Sequence, residues 1–357
     1  MTQRIFDGHN DVLLRLWRRD RTGERFFGEN SEGHVDLVRA RRGGMVGGIF
    51  ATFVLDEARP KGAPREGSVE APPVGLSQER ALAVTLSQLA IAMRIERASA
   101  GAVRLCRSTR DVEAAAEAGA FAMMLHMEGA EAIGADLDEL EVLYAAGVRS
   151  LGLVWSRPTI FGTGVPFRFP STPDLGDGLT ERGLALVKSC NALGVMVDVS
   201  HLNAKGFWDV ARVSDAPIVA THSNAHVLSP GSRNLTDAQM DAIRDSEGVA
   251  GLNFATFFLR EDGRRDANTP IDVMRRHLDH MLEKLGPRGV ALGSDFDGAL
   301  VPSAIGDAAG LPRLIAAMQA SGYSADLVDA IAYRNWLDVL ARTEAIGRRG
   351  TGAAARH

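Results

Sequence analysis

Short apolar runs recur along this 357-residue chain, and the stretches between most of them carry helical spacing. The runs are "RIFDGHND" (4–11), "GGIFATFV" (47–54), "FAMMLHMEG" (121–129), "VRSLGLVW" (148–155), "GVMVDVSH" (194–201), "APIVATHS" (216–223), "GVAGLNFA" (248–255) and "GVALGSDF" (289–296). Each is too apolar to leave a face in water, as strands covered on both sides of a parallel sheet must be. Helices are expected over 77–99, 109–118, 136–146, 180–193, 203–212, 236–246 and 270–285, with Thr180 and Glu181 opening the fourth and Pro270 the last. Eight strands alternating with helices predict an α/β fold, a single (β/α)8 TIM-type barrel spanning 1–357. Two doubly wound halves would also alternate, but no composition break or linker divides the chain near its middle. Extra C-terminal helices are expected near 310–320 and 324–341, and residues 343–357 are expected to fray.

Two Pro- and Gly-rich stretches, 56–75 and 162–178, each follow a strand and so belong to the C-terminal face of such a barrel. Each is a candidate lid or a tolerated insertion. With 45% hydrophobic and 24% charged residues, the chain has ample material for a large core. Lys plus Arg number 40 against 45 Asp plus Glu, a net charge of −5 without a long basic run, which argues against nucleic acid and anionic membrane as partners. No signal-peptide pattern and no span of 18 apolar residues is present, so a cytoplasmic protein without a membrane anchor is expected. Cys106 and Cys190 are too few for a disulfide framework and read as buried free thiols.

Against this frame the polar residues fall in one place. His9 and Asp11 end the first run, Glu128 the third, His201 the fifth, His222 the sixth and Asp295 the eighth. On a strand, His9 and Asp11 would share a face, because side chains alternate with a period of two. In a barrel all these ends converge on one mouth. Three histidines and three carboxylates gathered there would repel and desolvate one another unless cations compensated them. Nitrogen and oxygen donors without cysteine suit zinc, manganese, cobalt or iron, zinc first. The set exceeds what one zinc needs, so two ions sharing a carboxylate fit better, with Glu128 the bridging candidate.

The segments "DGHND", "EGAEAIG" (128–134), "DVSH" (198–201), "THSNAH" (221–226), "SRNLTD" (232–237) and "GSDFDG" (293–298), in this order, resemble the renal or membrane dipeptidase family of zinc metallopeptidases, within the amidohydrolase superfamily. The resemblance runs from residue 4 to about residue 340. It implies that His9 and Asp11 hold one Zn2+, that His201 and His222 hold the other, and that Glu128 bridges them. It further implies Asp295 as the acid–base residue and Arg233 as the holder of the substrate's free carboxylate. The reaction so implied is hydrolysis of small dipeptides, L,L and L,D, by a hydroxide shared between the two metals. The family's membrane anchor, glycosylation and disulfides have no counterpart in this sequence.

One position departs from the pattern. Where the family commonly carries an oxyanion-stabilising histidine, "GLVWSRPTIFGTG" places Trp155, whose indole offers one neutral donor. Trp155 either walls the substrate site or packs in the core. Arg157 and Arg168 read as solvated loop arginines, His34, His277, His280 and His357 as surface or helix residues, and His126 as an interior histidine beside the ligands. His226 is a candidate for lining the pocket, and Asp297 and Asn234 read as turn or supporting groups. Alternatives to dipeptide cleavage are hydrolysis of another small amide, an N-acyl amino acid or a lactone on the same centre, and a non-catalytic metal-stabilised binding protein. The oligomeric state, a homodimer included, is open.

Overall fold

In the computed structural model, which describes residues 3–55 and 75–354, each apolar run overlaps a strand, in most cases one shorter than the run itself. The strands are β1 (Ile5–Asn10), β2 (Met45–Thr52), β3 (Val103–Cys106), β4 (Phe121–Glu128), β5 (Val148–Gly152), β6 (Met196–Asp198), β7 (Val219–Ala220), β8 (Val249–Leu252) and β9 (Val290–Leu292). All pairings are parallel, in the order β1-β2-β4-β5-β6-β7-β8-β9. Closure comes from the segment after β9: Asn10 bridges Phe296, the Asp11 amide donates to Phe296 O at 2.8 Å, and the Asp295 amide donates to His9 O at 3.0 Å. The result is a parallel eight-stranded barrel with helices outside, as the alternation predicts.

The ninth strand, β3, is an addition. It pairs with Phe121–Met124 of β4, while β5 pairs with Leu125–Glu128, so the two divide one edge of β4 between its halves. The expected helices form within a few residues of their predicted bounds, and their caps explain several starts: Thr180 accepts from Gly183 N, Asn203 accepts from Gly206 N, and Thr236 with Gln239 closes a capping box. At the C-terminus one helix runs Asn335–Ala354, so the segment from 343, expected to fray, is helical that far. Of the candidate lid at 56–75, residues 56–74 lie outside the described residues.

The barrel interior is layered. Its lower part joins Phe6, Ile49, Ala122, Met124, Met196, Val219, Val249 and Ala291, drawn from seven strands, against Trp336 and Leu337 of the C-terminal helix. Trp336 is fully buried, donates Nε1–H to Leu292 O at 2.8 Å, and occupies space that a β-carbon on Gly8 would need. Alternation then carries β4 upward on one face: Ala122 and Met124 in the apolar floor, His126 above them, Glu128 at the top. The second and larger cluster packs outer strand faces against the helices. Cys106 and Cys190 are buried free thiols, as read from the sequence.

Candidate metal centre and active-site cavity

The top layer brings together residues nearly 300 positions apart. His9 is the penultimate residue of β1, but Asp11 stands past the strand as the residue before helix Val12–Arg19. Simple alternation therefore does not unite the two; the register of β1 shifts between Asp7 and Asn10, and the chain then turns into the helix. His9 Nε2 lies 3.9 Å from Asp11 Oδ2 and 3.7 Å from Glu128 Oε1. His201, His222 and Asp295 also lie beyond their strand ends, in loops. His201 Nε2 is 3.0 Å and His222 Nε2 3.6 Å from the same Glu128 Oε1, and the two imidazole nitrogens are 3.0 Å apart. The His9 and His222 rings stack, with centroids 3.7 Å apart.

Glu128 is thus common to two donor groups, His9–Asp11–Glu128 and Glu128–His201–His222. A third grouping, His9–Asp198–His222, brings in Asp198, which the sequence reading did not single out. The electrostatics are unfavourable for the protein alone. Burial, and then the charges of Asp295 and Asp297, push the Asp11 carboxyl well above its usual range, and burial, with Asp11 and Asp295, does the same to Glu128. Burial holds His9, His201 and His222 well below the usual imidazole range. Buried His9 Nε2 and Asp11 Oδ1 have no hydrogen-bond partner among the described residues. Unpartnered ligand atoms converging with neutral imidazoles and crowded carboxyls fit divalent cations held by nitrogen and oxygen.

Asp295 sits above this cluster in a left-handed backbone conformation, φ 58°, as does His201 at 67°. Non-glycine residues hold such angles where the surroundings impose them. Asn253 fixes Asp295: Asn253 Oδ1 accepts from Ala255 N at 2.6 Å, which turns Asn253 Nδ2 toward Asp295 Oδ2 at 3.0 Å. Burial raises the Asp295 carboxyl to about 6, against the opposing Asn253 bond and the charges of Arg233 and Arg265. Gly298 has a steric reason, since a β-carbon there would collide with Asp11 Oδ2 and Asp295 Oδ1.

A cavity of about 270 Å³ opens on Asp11, Glu128, His201 and Asp295. Its walls include Leu14, Phe53, Trp155, Phe167, Phe257 and Phe258, with Arg18 and Arg265 also lining it. Trp155 faces this cavity, its ring centroid 5.7 Å from His201, 5.0 Å from Phe53 and 5.4 Å from Phe167. Arg157 is not a solvated loop residue but fully buried behind that wall: its Nε donates to Glu131 Oε1 at 2.6 Å, Nη2 donates to Val54 O at 2.6 Å, and the guanidinium lies 5.2 Å from the Trp155 ring. The 162–178 stretch supplies Phe167 and is tied down, with Val165 N donating to His201 O at 2.8 Å and Ser171 N to Pro230 O at 2.8 Å.

Arg233 is buried behind His222 and is not among the residues lining the cavity. Its Nη1 donates to Ser223 Oγ at 2.6 Å and Nη2 to His222 O at 2.9 Å, leaving Nε unpartnered among the described residues. Of the other histidines, His126 is interior, 2.9 Å from Ser150 Oγ, and His226 Nε2 donates to Ser171 O outside the cavity lining. His277 is buried rather than superficial, between Ala225 N and Leu259 O. His34 accepts from Asp297 N at 2.9 Å, and Asp297 in turn binds Arg15 at 2.8 Å on the cavity rim. Sequence reasoning missed Asn253, Asp198, Arg18 and Arg265. Asn253 carried a signal, as the one polar amide inside the run "GVAGLNFA".

Among the described residues no helix is long and apolar enough to cross a membrane. A metallo peptidase from Rhodobacter sphaeroides, solved with a phosphinate mimic of the dipeptide L-Ala-D-Ala, is 49% identical and superposes with a TM-score of 0.91 over 96% of this chain and all of that one. The Claviceps purpurea dipeptidase tcpJ is 26% identical over 97% of this chain and 78% of its own length. An uncharacterised protein from the pqqA 5′ region of Klebsiella pneumoniae is 51% identical over 71% of this chain and 93% of its own. The model of the membrane dipeptidase family, peptidase family M19, matches residues 1–352, and the chain belongs to that family.

Proposed function

We propose that this metallopeptidase is a binuclear zinc dipeptidase, with residues 1–357 acting as one barrel, that cleaves small dipeptides, including those with a D-residue at the carboxyl end. The observation that carries the reading is the position of Glu128 between the His9–Asp11 and His201–His222 pairs, since one carboxylate serving two donor groups is what a bridged pair of ions requires. His9 and Asp11 would hold one ion and His201 and His222 the other. Divalent ions held there supply Lewis acidity: they make water nucleophilic near neutral pH and polarise a scissile carbonyl.

The chain's own groups do the rest. Asp295, with Oδ2 held by Asn253, takes the proton of the attacking water on Oδ1 and passes it to the leaving amine. Burial favours this role by keeping the carboxyl's affinity for protons close to neutrality. Arg233 supplies a buried positive charge for the substrate's free carboxylate, acting from behind His222. Trp155 forms an apolar wall that a substrate side chain packs against, backed by Arg157. The L-Ala-D-Ala mimic bound by the Rhodobacter sphaeroides relative supports an L,D dipeptide as substrate.

The test is a substrate panel for the zinc-loaded protein: L-Ala-D-Ala, L-Ala-L-Ala, the dipeptide amide, an N-acyl amino acid and a lactone. The expected result is turnover of the free dipeptides far above the others. Faster turnover of the N-acyl amino acid or lactone would replace the dipeptidase reading.

A further inference from the structure

Asp198 raises a question of its own, because it belongs to a possible ligand group with His9 and His222 and yet both its oxygens already accept hydrogen bonds. Asp198 Oδ1 accepts from Ser200 N and Thr221 N, both at 2.9 Å. Its Oδ2 lies 2.5 Å from Thr221 Oγ1. Thr221 Oγ1 is in turn 2.8 Å from His222 Nδ1 and 3.4 Å from His9 Nδ1, and all four residues are buried.

The hydrogen count fixes the direction of this chain. A hydroxyl has one proton and two lone pairs, whereas a carboxylate only accepts. The Thr221 proton therefore goes to Asp198, and Thr221 Oγ1 must accept at His222 Nδ1. Nδ1 of His222 then carries the hydrogen of the neutral ring, and the lone pair is on Nε2, the atom 3.6 Å from Glu128 Oε1 and 3.0 Å from His201 Nε2. The same oxygen has a second lone pair toward His9 Nδ1. We infer that Asp198 and Thr221 are positioning residues, a carboxylate–hydroxyl relay that selects the tautomer of His222, and less tightly that of His9, in which Nε2 is free to bind a metal. This rests on the two-ion reading above. It assigns Asp198 to act through Thr221 rather than on a metal, in the way outer partners of metal-binding histidines fix ring orientation and tautomer.

The test is zinc affinity, measured by competition with a chromophoric chelator, for the wild type, Thr221→Val, Thr221→Ser, Asp198→Asn and the double variant Thr221→Val/Asp198→Asn. Valine keeps the shape and removes the hydroxyl, with Thr221→Ala as its substitute should valine not fold. Asparagine keeps the acceptor for the two amides but turns an N–H toward Thr221, so that the threonine proton points to His222 Nδ1 and Nε2 of His222 takes the hydrogen. The expected loss at one ion is about 10- to 100-fold for each single variant, with serine restoring binding to near wild type. Because both act through one relay, the double variant should lose no more than either single change. Wild-type affinity in folded Thr221→Val together with weak binding in Asp198→Asn would overturn the inference and make Asp198 a ligand; wild-type affinity in both would also overturn it. Failure of the two-ion reading itself would be seen separately, as a wild-type protein that binds no zinc.

Discussion

The floor and the roof of the barrel interior are built by the same strands and obey opposite rules. In the floor, Phe6, Ile49, Met124, Met196 and their neighbours bury apolar surface under Trp336, which stabilises the fold whatever the solution contains. In the roof, three to five residues further along those strands and the loops that follow, Glu128, Asp11, Asp295 and three imidazoles are packed where burial displaces each from its ordinary pKa range. The contrast separates what holds this molecule together from what it does. The lower layer is a source of stability, and the upper layer is a liability that divalent cations convert into a site.

The comparison breaks first at Glu128. Glu128→Gln is expected to lower bound zinc below two ions per chain and to reduce dipeptide turnover by about 10³-fold or more, while the floor and the fold persist. Turnover and metal content of the purified variant check this, and normal values for both would end the bridging role. Asp295→Asn should act within the roof yet leave the metals alone: kcat falls by about 10²–10⁴ with zinc retained. A near-normal rate would move the proton shuttle to another group.

The floor answers differently. Trp336→Ala should destabilise the protein by roughly 3–5 kcal/mol in denaturant unfolding, since it empties the space between Gly8 and Leu292, while kcat per folded molecule stays within about twofold. A loss of turnover without a loss of stability would erase the distinction between the layers. The smallest effect is expected at the rim. Trp155→Ala should alter the ratio of kcat/KM between a small and a large dipeptide by several-fold, roughly 1 kcal/mol, because the ring faces the cavity. An unchanged ratio with a lowered Tm would return Trp155 to a packing role.

The alternation of apolar runs and helices was enough to read the barrel, because strands covered on both faces leave a signal that no other common architecture repeats eight times. β3 escaped because Val103–Cys106 is short and carries the exposed Arg104, so no apolar run marks it. The convergence of His9, Asp11, Glu128, His201, His222 and Asp295 was legible because ligand-type side chains stood at run after run. What was not legible depended on partners far away in sequence. Arg157 reads as a loop cation until Glu131 and Val54 O are beside it, and His277, read as a surface or helix residue, lies on a helix but is enclosed by Ala225 and Leu259. Asp198 and Thr221 were quoted within their motifs, but a hydrogen-bond relay is a property of geometry and proton count, neither of which a spacing reveals.

The central claim is that the roof is completed by two ions on a shared carboxylate, and a zinc titration of chelator-stripped protein tests it most directly. Calorimetry should register two equivalents per chain, with Tm rising as they bind, because ions that bind only the folded state stabilise it. Saturation at one equivalent, or no binding by a protein that still cleaves dipeptides, would contradict the account.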